Sequence, residues 1–461
     1  MKKFFSVSLL IWLTLSPLFA GGILTNTNQH AAFLRMISRG ASIGIDGVYT
    51  NPAGVSFLPH NGLTMSFSVQ SAFQTRNIDA SYNTYAYRRD KIGVEPFNPQ
   101  YIGSESVNEY YKGKASAPII PSLYAAYRMD DLTLSAFFGV TGGGGKCSFD
   151  SGLPLFKSLV SALVFQQSSA AAAAGKSIPL NRDMYNITSA MDGRQYIYAL
   201  QLGVGYKFND WLAGFVGGKM NYFTGGYEGF VNAELLPNYG GTTLADIQLD
   251  CTQTGWGLTP VIGLDAKLNR WNFAVKYEFK TNLNIENKTK TLVAPDPSLL
   301  APYADGVNTP SDIPAFLTIA AGYEVLPQWR VNAEFHHFDD KNAGMANDKQ
   351  KALTHGTLEY QVGTEYDVNH FLTLSGGIQF TNYGLADNFQ SDTSFYCDSY
   401  SIGLGAAVKL SSKALLNIGY MWTTYKDYTK SMDSYNNTGL PGTDIYSRTN
   451  KVFGVSLDYS F

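Results

Sequence analysis

The last eleven residues of the chain, KVFGVSLDYSF, alternate apolar and polar at every step and stop on Phe461. Phe453, Val455, Leu457, Tyr459 and Phe461 share one face and Gly454, Ser456, Asp458 and Ser460 the other, because successive strand side chains point to opposite sides. Short alternating runs of this kind continue from residue 61 to the end. In the run near residue 200, Tyr196, Tyr198, Leu200, Leu202, Val204 and Tyr206 fall opposite Gln201 and Gly203. Near residue 360, Leu358, Tyr360, Val362 and Tyr366 oppose Glu359, Gln361 and Glu365, and near 404, Tyr400, Ile402, Leu404, Ala406 and Val408 oppose Ser401 and Lys409. Apolar side chains outside with charges inside is the assignment that lipid imposes on a barrel wall.

The connections agree with that reading. Strand one is expected near residues 63–72 and strand two near 122–129, with a polar, Tyr-rich loop between them at 73–117. Tight turns are read at Asp130-Asp131, 208–211, 268–271, 326–329, 368–371 and 411–413, and long connections near 144–193, 226–248, 290–311, 340–354, 384–395 and 428–446. Short and long connections alternate, so all tight turns lie at one end with both chain termini, and the strand count reaches fourteen. Trp211, Trp271 and Trp329 each follow a tight turn, the height at which aromatic rings meet the lipid headgroups. The expected fold is all-β: a 14-stranded antiparallel transmembrane β-barrel, residues 61–461, with long outer loops.

The other end of the chain places this barrel. Lys2 and Lys3 precede an apolar run over residues 4–19, and Ala20-Gly21 offers small residues for cleavage, so residues 1–20 read as a Sec-type signal peptide. Leu18 is an unusual residue three before that cut. Beyond it no run of about 18 apolar residues remains for a membrane helix. Export, alternating strands and a terminal aromatic place the chain in the bacterial outer membrane, among its lipids and lipopolysaccharide, with the barrel-assembly machinery as folding partner. The net charge of -3 and the lack of basic clusters point away from nucleic acid.

Cys147, Cys251 and Cys397 leave at least one thiol unpaired, and a Cys147–Cys251 bridge between outer loops is one arrangement open to them. None has metal-ligand spacing. Of the six histidines, His336 and His337 point to opposite strand faces and cannot form one ligand set. No nucleophile motif is visible; the expectation is no enzyme, no cofactor and no metal.

Fourteen strands enclose a lumen wider than side chains from the wall alone can fill. Residues 21–60 precede strand one, too short for a core of their own; they offer a short helix at 29–37 and a stiff Asn51-Pro52-Ala53-Gly54 turn. They read as a hatch, or plug, within the barrel; the bland alternative is a disordered leader. The segment ASIGIDGVYTNPAGVSFL, residues 41–58, resembles the N-terminal signature of the FadL/TodX family of outer-membrane transporters for long-chain fatty acids and other hydrophobic compounds. Tyr49, Asn51, Pro52, Ala53 and Gly54 match that motif. The resemblance implies a fourteen-stranded barrel with an N-terminal hatch, a hydrophobic groove among the outer loops, and sideways exit of cargo through a gap at a kink of strand three.

Three features bear on that implication. Strand three ends FGVTGGGGKCSF, and Gly139 with Gly142, Gly143, Gly144 and Gly145 fits a defect in the wall; it fits equally a flexible lead into the next loop. Within residues 153–174, Leu155, Phe156, Leu159, Val160 and Leu163 recur at helical spacing, a stripe that must bury either on neighbouring loops or on an acyl chain. The inward charges low in the barrel oppose passage of an apolar cargo down the lumen. Lys219, Lys276, Lys280 and Arg330 are candidate partners for a cargo carboxylate, each also a candidate for a structural ion pair. The expected function is passive uptake of hydrophobic molecules such as long-chain fatty acids. A hydrophilic diffusion porin and a surface-binding or secretion-assembly component on the same scaffold are the alternatives.

Overall fold

The computed structural model describes residues 26–461; the signal-peptide reading on residues 1–20 lies outside them. Fourteen antiparallel strands form the wall: β1 Gly62–Tyr87, β2 Ile102–Met129, β3 Leu132–Phe149, β4 Tyr185–Lys207, β5 Leu212–Leu235, β6 Thr243–Leu268 and β7 Trp271–Glu278. The shorter half continues with β8 Phe316–Leu326, β9 Trp329–Phe338, β10 Leu358–Asp367, β11 Leu372–Asn382, β12 Ser399–Lys409, β13 Ala414–Tyr425 and β14 Gly442–Ser460. Each strand pairs with the next, and β14 returns to β1 from Thr64↔Ser460 to Tyr82↔Gly442, which closes the barrel and leaves no long free edge at membrane height. Three short ladders, Asn284–Val293, Asn308–Pro310 and Tyr428–Met432, extend the outer rim.

All six expected tight turns are present, and Phe461 donates its N–H to Leu63 O beside them. Apolar side chains such as Leu202, Leu264, Val362 and Leu404 stand exposed on the outer surface. Trp211, Trp271 and Trp329 are exposed beside the turns, with Trp271 against Tyr323 at 4.5 Å between ring centroids.

The expected loops at 73–117 and 226–248 are largely strand. A spanning strand needs only about 9–11 residues, yet β1 has 26 and β2 has 28, so their upper halves rise beyond the membrane. Along β1 the facing stays constant while its polarity inverts. Ser66, Ser68 and Gln70 point inward at membrane height; Ile78, Ala80 and Tyr82 point inward above it, and exposed Asp79 and Ser81 point out. Water has replaced lipid outside, and an apolar cap has replaced the polar lumen inside. That cap gathers Ile78, Tyr111, Phe149, Tyr227, Phe395 and Tyr446 into one buried cluster. Cys147, Cys251 and Cys397 belong to it as free thiols, so the Cys147–Cys251 bridge is not formed.

Residues 26–58 lie inside the barrel as the plug, and exposed Pro59 and His60 lead into β1. The expected helix at 29–37 is the shorter α1, Ala31–Arg35, capped by the His30 ring on Ala32 N–H at 3.0 Å; α2, Gly47–Thr50, and a 3₁₀ turn, Gly54–Phe57, follow. Segments this short are not stable helices alone, and here the wall holds them. Beyond the plug, the outer cap carries the longer α3, Pro154–Ala173, twenty residues where the periodicity expected a helix.

Candidate functional site

The inward polar residues of the wall are spent on the plug. Arg39 donates from Nε and Nη2 to Asp46 at 2.7 and 3.0 Å and from Nη1 to Glu365 at 3.2 Å; Arg35 reaches the same Glu365 at 2.6 Å. Backbone groups of the plug are met as well. Gly40 N–H donates to Glu334 at 2.8 Å, while Asn272 and Asn332 donate to the carbonyls of Ala41 and Ser38 at 2.9 and 3.2 Å. Because an unpaired buried peptide group is costly, these side chains fix both the depth and the register of an otherwise irregular segment.

The NPAG turn sits at the centre of this packing. Asn51 accepts from Gly54 N–H at 3.1 Å and donates to Asp265 at 2.5 Å, Pro52 is buried, and Ala53 packs on Phe215 and Val261. Tyr49 lies against Phe137, ring centroids 4.7 Å apart, and its carbonyl accepts from Lys276 at 2.9 Å.

The four cations singled out from the sequence all face carboxylates of the protein. Lys219 and Lys276 share Glu278, the latter at 2.9 Å, Lys280 pairs with Asp312 at 3.1 Å, and Arg330 forks onto Asp367 at 2.7 and 2.8 Å. They are structural ion pairs in this geometry.

The glycine run falls on an interruption of the β2–β3 hydrogen-bond ladder. The β2–β3 ladder runs from Met129↔Leu132 to Leu123↔Phe138, stops, and resumes at Ser116↔Lys146. On the β3–β4 side the register shifts twice, between Val140 and Gly142 and between Gly142 and Gly145. Gly143 and Gly145 take φ of 91° and 75°, a region costly for any side chain. Across the break β2 carries Pro118 and Pro121, which have no N–H to donate. Asn26, the first described residue, bonds into the break through Thr141 O at 2.8 Å and Gly143 O at 3.3 Å.

Three cavities line up at this height. A central one of about 180 Å³ lies between the plug and the outer loops and reaches Gly143, Gly144 and Gly145, with Phe33, Met421 and Val452 among its apolar walls. A smaller one shares Arg76, Gly144 and Gly145 with it and extends past Phe149 and Leu153 to Met191. Met191 also lines the third, an almost wholly apolar cavity under α3. There Phe156, Leu159, Val160 and Leu163 face Val231, Leu249 and Leu300. Leu155 does not line that space; its N–H donates to Asp392 at 2.8 Å, and its side chain packs on the cap.

Two residues on the central cavity had no signal in the linear sequence. Arg76 and Arg448 stand directly opposite each other on β1 and β14, and among the described residues no carboxylate comes within 4.0 Å of either guanidinium. Arg76 lies in a stretch that reads as loop, so its facing is visible only once the extended strand is known.

A family model described as an outer membrane protein beta-barrel domain matches residues 298–461. The search of curated proteins found no match. Among solved structures, a FadL homologue of Pseudomonas aeruginosa is similar at 15% identity and a TM-score of 0.60, over 96% of this chain and 100% of that one. The toluene transporter TodX of Pseudomonas putida is similar at 15% identity and a TM-score of 0.54, over 96% and 100%. With its lipid-facing wall, its filled lumen and its strand order, this chain is a bacterial outer-membrane barrel that stands, by fold, with the FadL/TodX channels.

Proposed function

We propose that this protein is a channel for the passive uptake of hydrophobic molecules such as long-chain fatty acids across the outer membrane. Cargo is captured under α3, passes along the three adjoining cavities, and leaves sideways beside β3. The observation that carries this reading is the β2–β3 break beside a lumen filled by the plug. Straight passage would have to displace buried ion pairs, whereas lateral passage crosses a stretch of wall without a ladder. An open porin is opposed by the same plug, and transport is the readout. Deletion of the gene should lower the initial rate of labelled long-chain fatty acid uptake by intact cells, and the wild-type gene should restore it. Unchanged uptake of fatty acids and of aromatic hydrocarbons would overturn the proposal.

A further inference from the structure

The central cavity has walls of two kinds. Its lower part sets apolar Phe33 of the plug, Met421 of β13 and Val452 of β14 beside the polar plug residues Asn26, Asn28 and Gln29. Toward β1 and β14 it presents two successive inward cross-strand pairs, Gln74↔Asn450 and Arg76↔Arg448. Directly opposed strand side chains have Cβ atoms only about 5 Å apart, so the two guanidiniums are neighbours.

Like charges placed this way repel, and burial strengthens the repulsion. Proteins usually answer with a carboxylate, and this barrel does so for Arg35, Arg39 and Arg330. Arg448 is only 6% exposed, yet its neighbours are the Tyr425 ring, 4.9 Å from ring centroid to guanidinium, and the Phe395 carbonyl at 3.5 Å. The Nε atoms of both arginines and the side-chain oxygens of Gln74 and Asn450 have no protein partner. The acids on the same cavity are engaged elsewhere: Asp340 accepts from Thr357 N–H at 2.7 Å, and Glu359 lies 2.8 Å from both the His336 ring and the Gln379 amide.

On the reading that the cavities carry a hydrophobic cargo, we infer that Arg76 and Arg448 together form an anchor for a cargo whose polar end bears two negative charges. A phosphate monoester and a closely spaced dicarboxylate share that chemistry. A neutral hydrocarbon leaves both guanidiniums unanswered, and a monocarboxylate answers one charge of two. Arg76 lines the small cavity as well as the central one. A head group held there therefore lets its tail run past Phe149 and Leu153 toward the apolar space under α3. A Cβ at Gly144 would meet the Arg76 Nη2, so a side chain there would displace the guanidinium.

Three probes of equal chain length, dodecyl phosphate, dodecanoate and dodecanol, are titrated into the full-length protein held in amphipol. Dodecylsuccinate is added as the dicarboxylate source. Charge-assisted hydrogen bonds are stronger than neutral ones, so the dianions should bind at least about 10- to 100-fold more tightly than dodecanol, with dodecanoate between them. Arg76→Gln and Arg448→Gln should each lower the ratio of dianion to dodecanol affinity toward one. The wild-type ranking is decisive even if a variant fails to fold. Equal affinities for dodecanol and both dianions would overturn the anchor while leaving hydrophobic uptake standing. A preference for dodecanoate over both dianions would also overturn it. Binding of none of the probes would remove the uptake reading and the anchor with it.

Discussion

Arg39→Ala tests how firmly the plug closes the lumen. Arg39, Asp46 and Glu365 are all buried, and Asp46 takes both of its side-chain hydrogen bonds from Arg39. Glu365 keeps Arg35 at 2.6 Å and Arg330 at 3.4 Å, so the substitution orphans one carboxylate rather than two. Removing one partner of a buried pair costs about 3–5 kcal/mol, and the single orphan favours the lower end. About 3 kcal/mol raises the population of the displaced plug roughly 100-fold. The readout is the frequency of opening events for purified protein in planar bilayers. Arg39→Ala combined with Asp46→Ala removes the orphaned charge and should bring the frequency back toward wild type. An unchanged frequency in a barrel that still shows heat-modifiable migration would refute the claim that these ion pairs hold the plug.

Leu159→Ala and Leu163→Ala each remove up to about 2 kcal/mol of apolar contact with a bound chain, so hydrophobic-ligand affinity should fall by up to roughly 30-fold in a binding titration. Asp392, in the loop before β12, is held above the ordinary carboxylate range by burial, although Lys430, Leu155 N–H and the Tyr446 hydroxyl oppose the rise. A raised folded pKa favours the neutral acid, so the stability it gives the cap is present in acid and is lost as pH rises through the folded value. Proteinase K should therefore nick the outer loops faster as the pH is raised from the acid range, relative to a control substrate, and Asp392→Asn should flatten that dependence.

The lower barrel was legible because lipid outside and polar groups inside force a strict two-residue period, and because tight turns and long loops segregate. Trp211, Trp271 and Trp329 follow from the same environment. The upper halves of β1, β2, β5 and β6 were not legible as strand. Their alternation continues past residue 73, but with Ile78 and Tyr82 inward and Asp79 outward it carries the opposite polarity, which reads as a polar loop. The stripe at Phe156, Leu159, Val160 and Leu163 declared its helix, but only the fold brings Val231, Leu249 and Leu300 against it. The inward residues Glu334, Asn272 and Asn332 were visible as polar positions. Their partners were not, since the groups they meet are backbone atoms of the plug, some 230–290 residues away. Arg76 and Arg448 illustrate the same limit: a cross-strand pair that joins the first strand to the last has no local signature.

The lateral route is tested most directly by filling the break. At Gly145 a side chain would require φ of 75° and would meet the Ser116 carbonyl and Ala117 on β2, across the break. Holding a β-branched residue in such a conformation costs about 1–3 kcal/mol, which a barrel of this size can bear. Uptake of labelled long-chain fatty acid is measured in cells expressing wild type or Gly145→Val at equal levels of folded, heat-modifiable protein. The account predicts loss of uptake with binding to the purified protein retained; wild-type uptake by the filled barrel would contradict it.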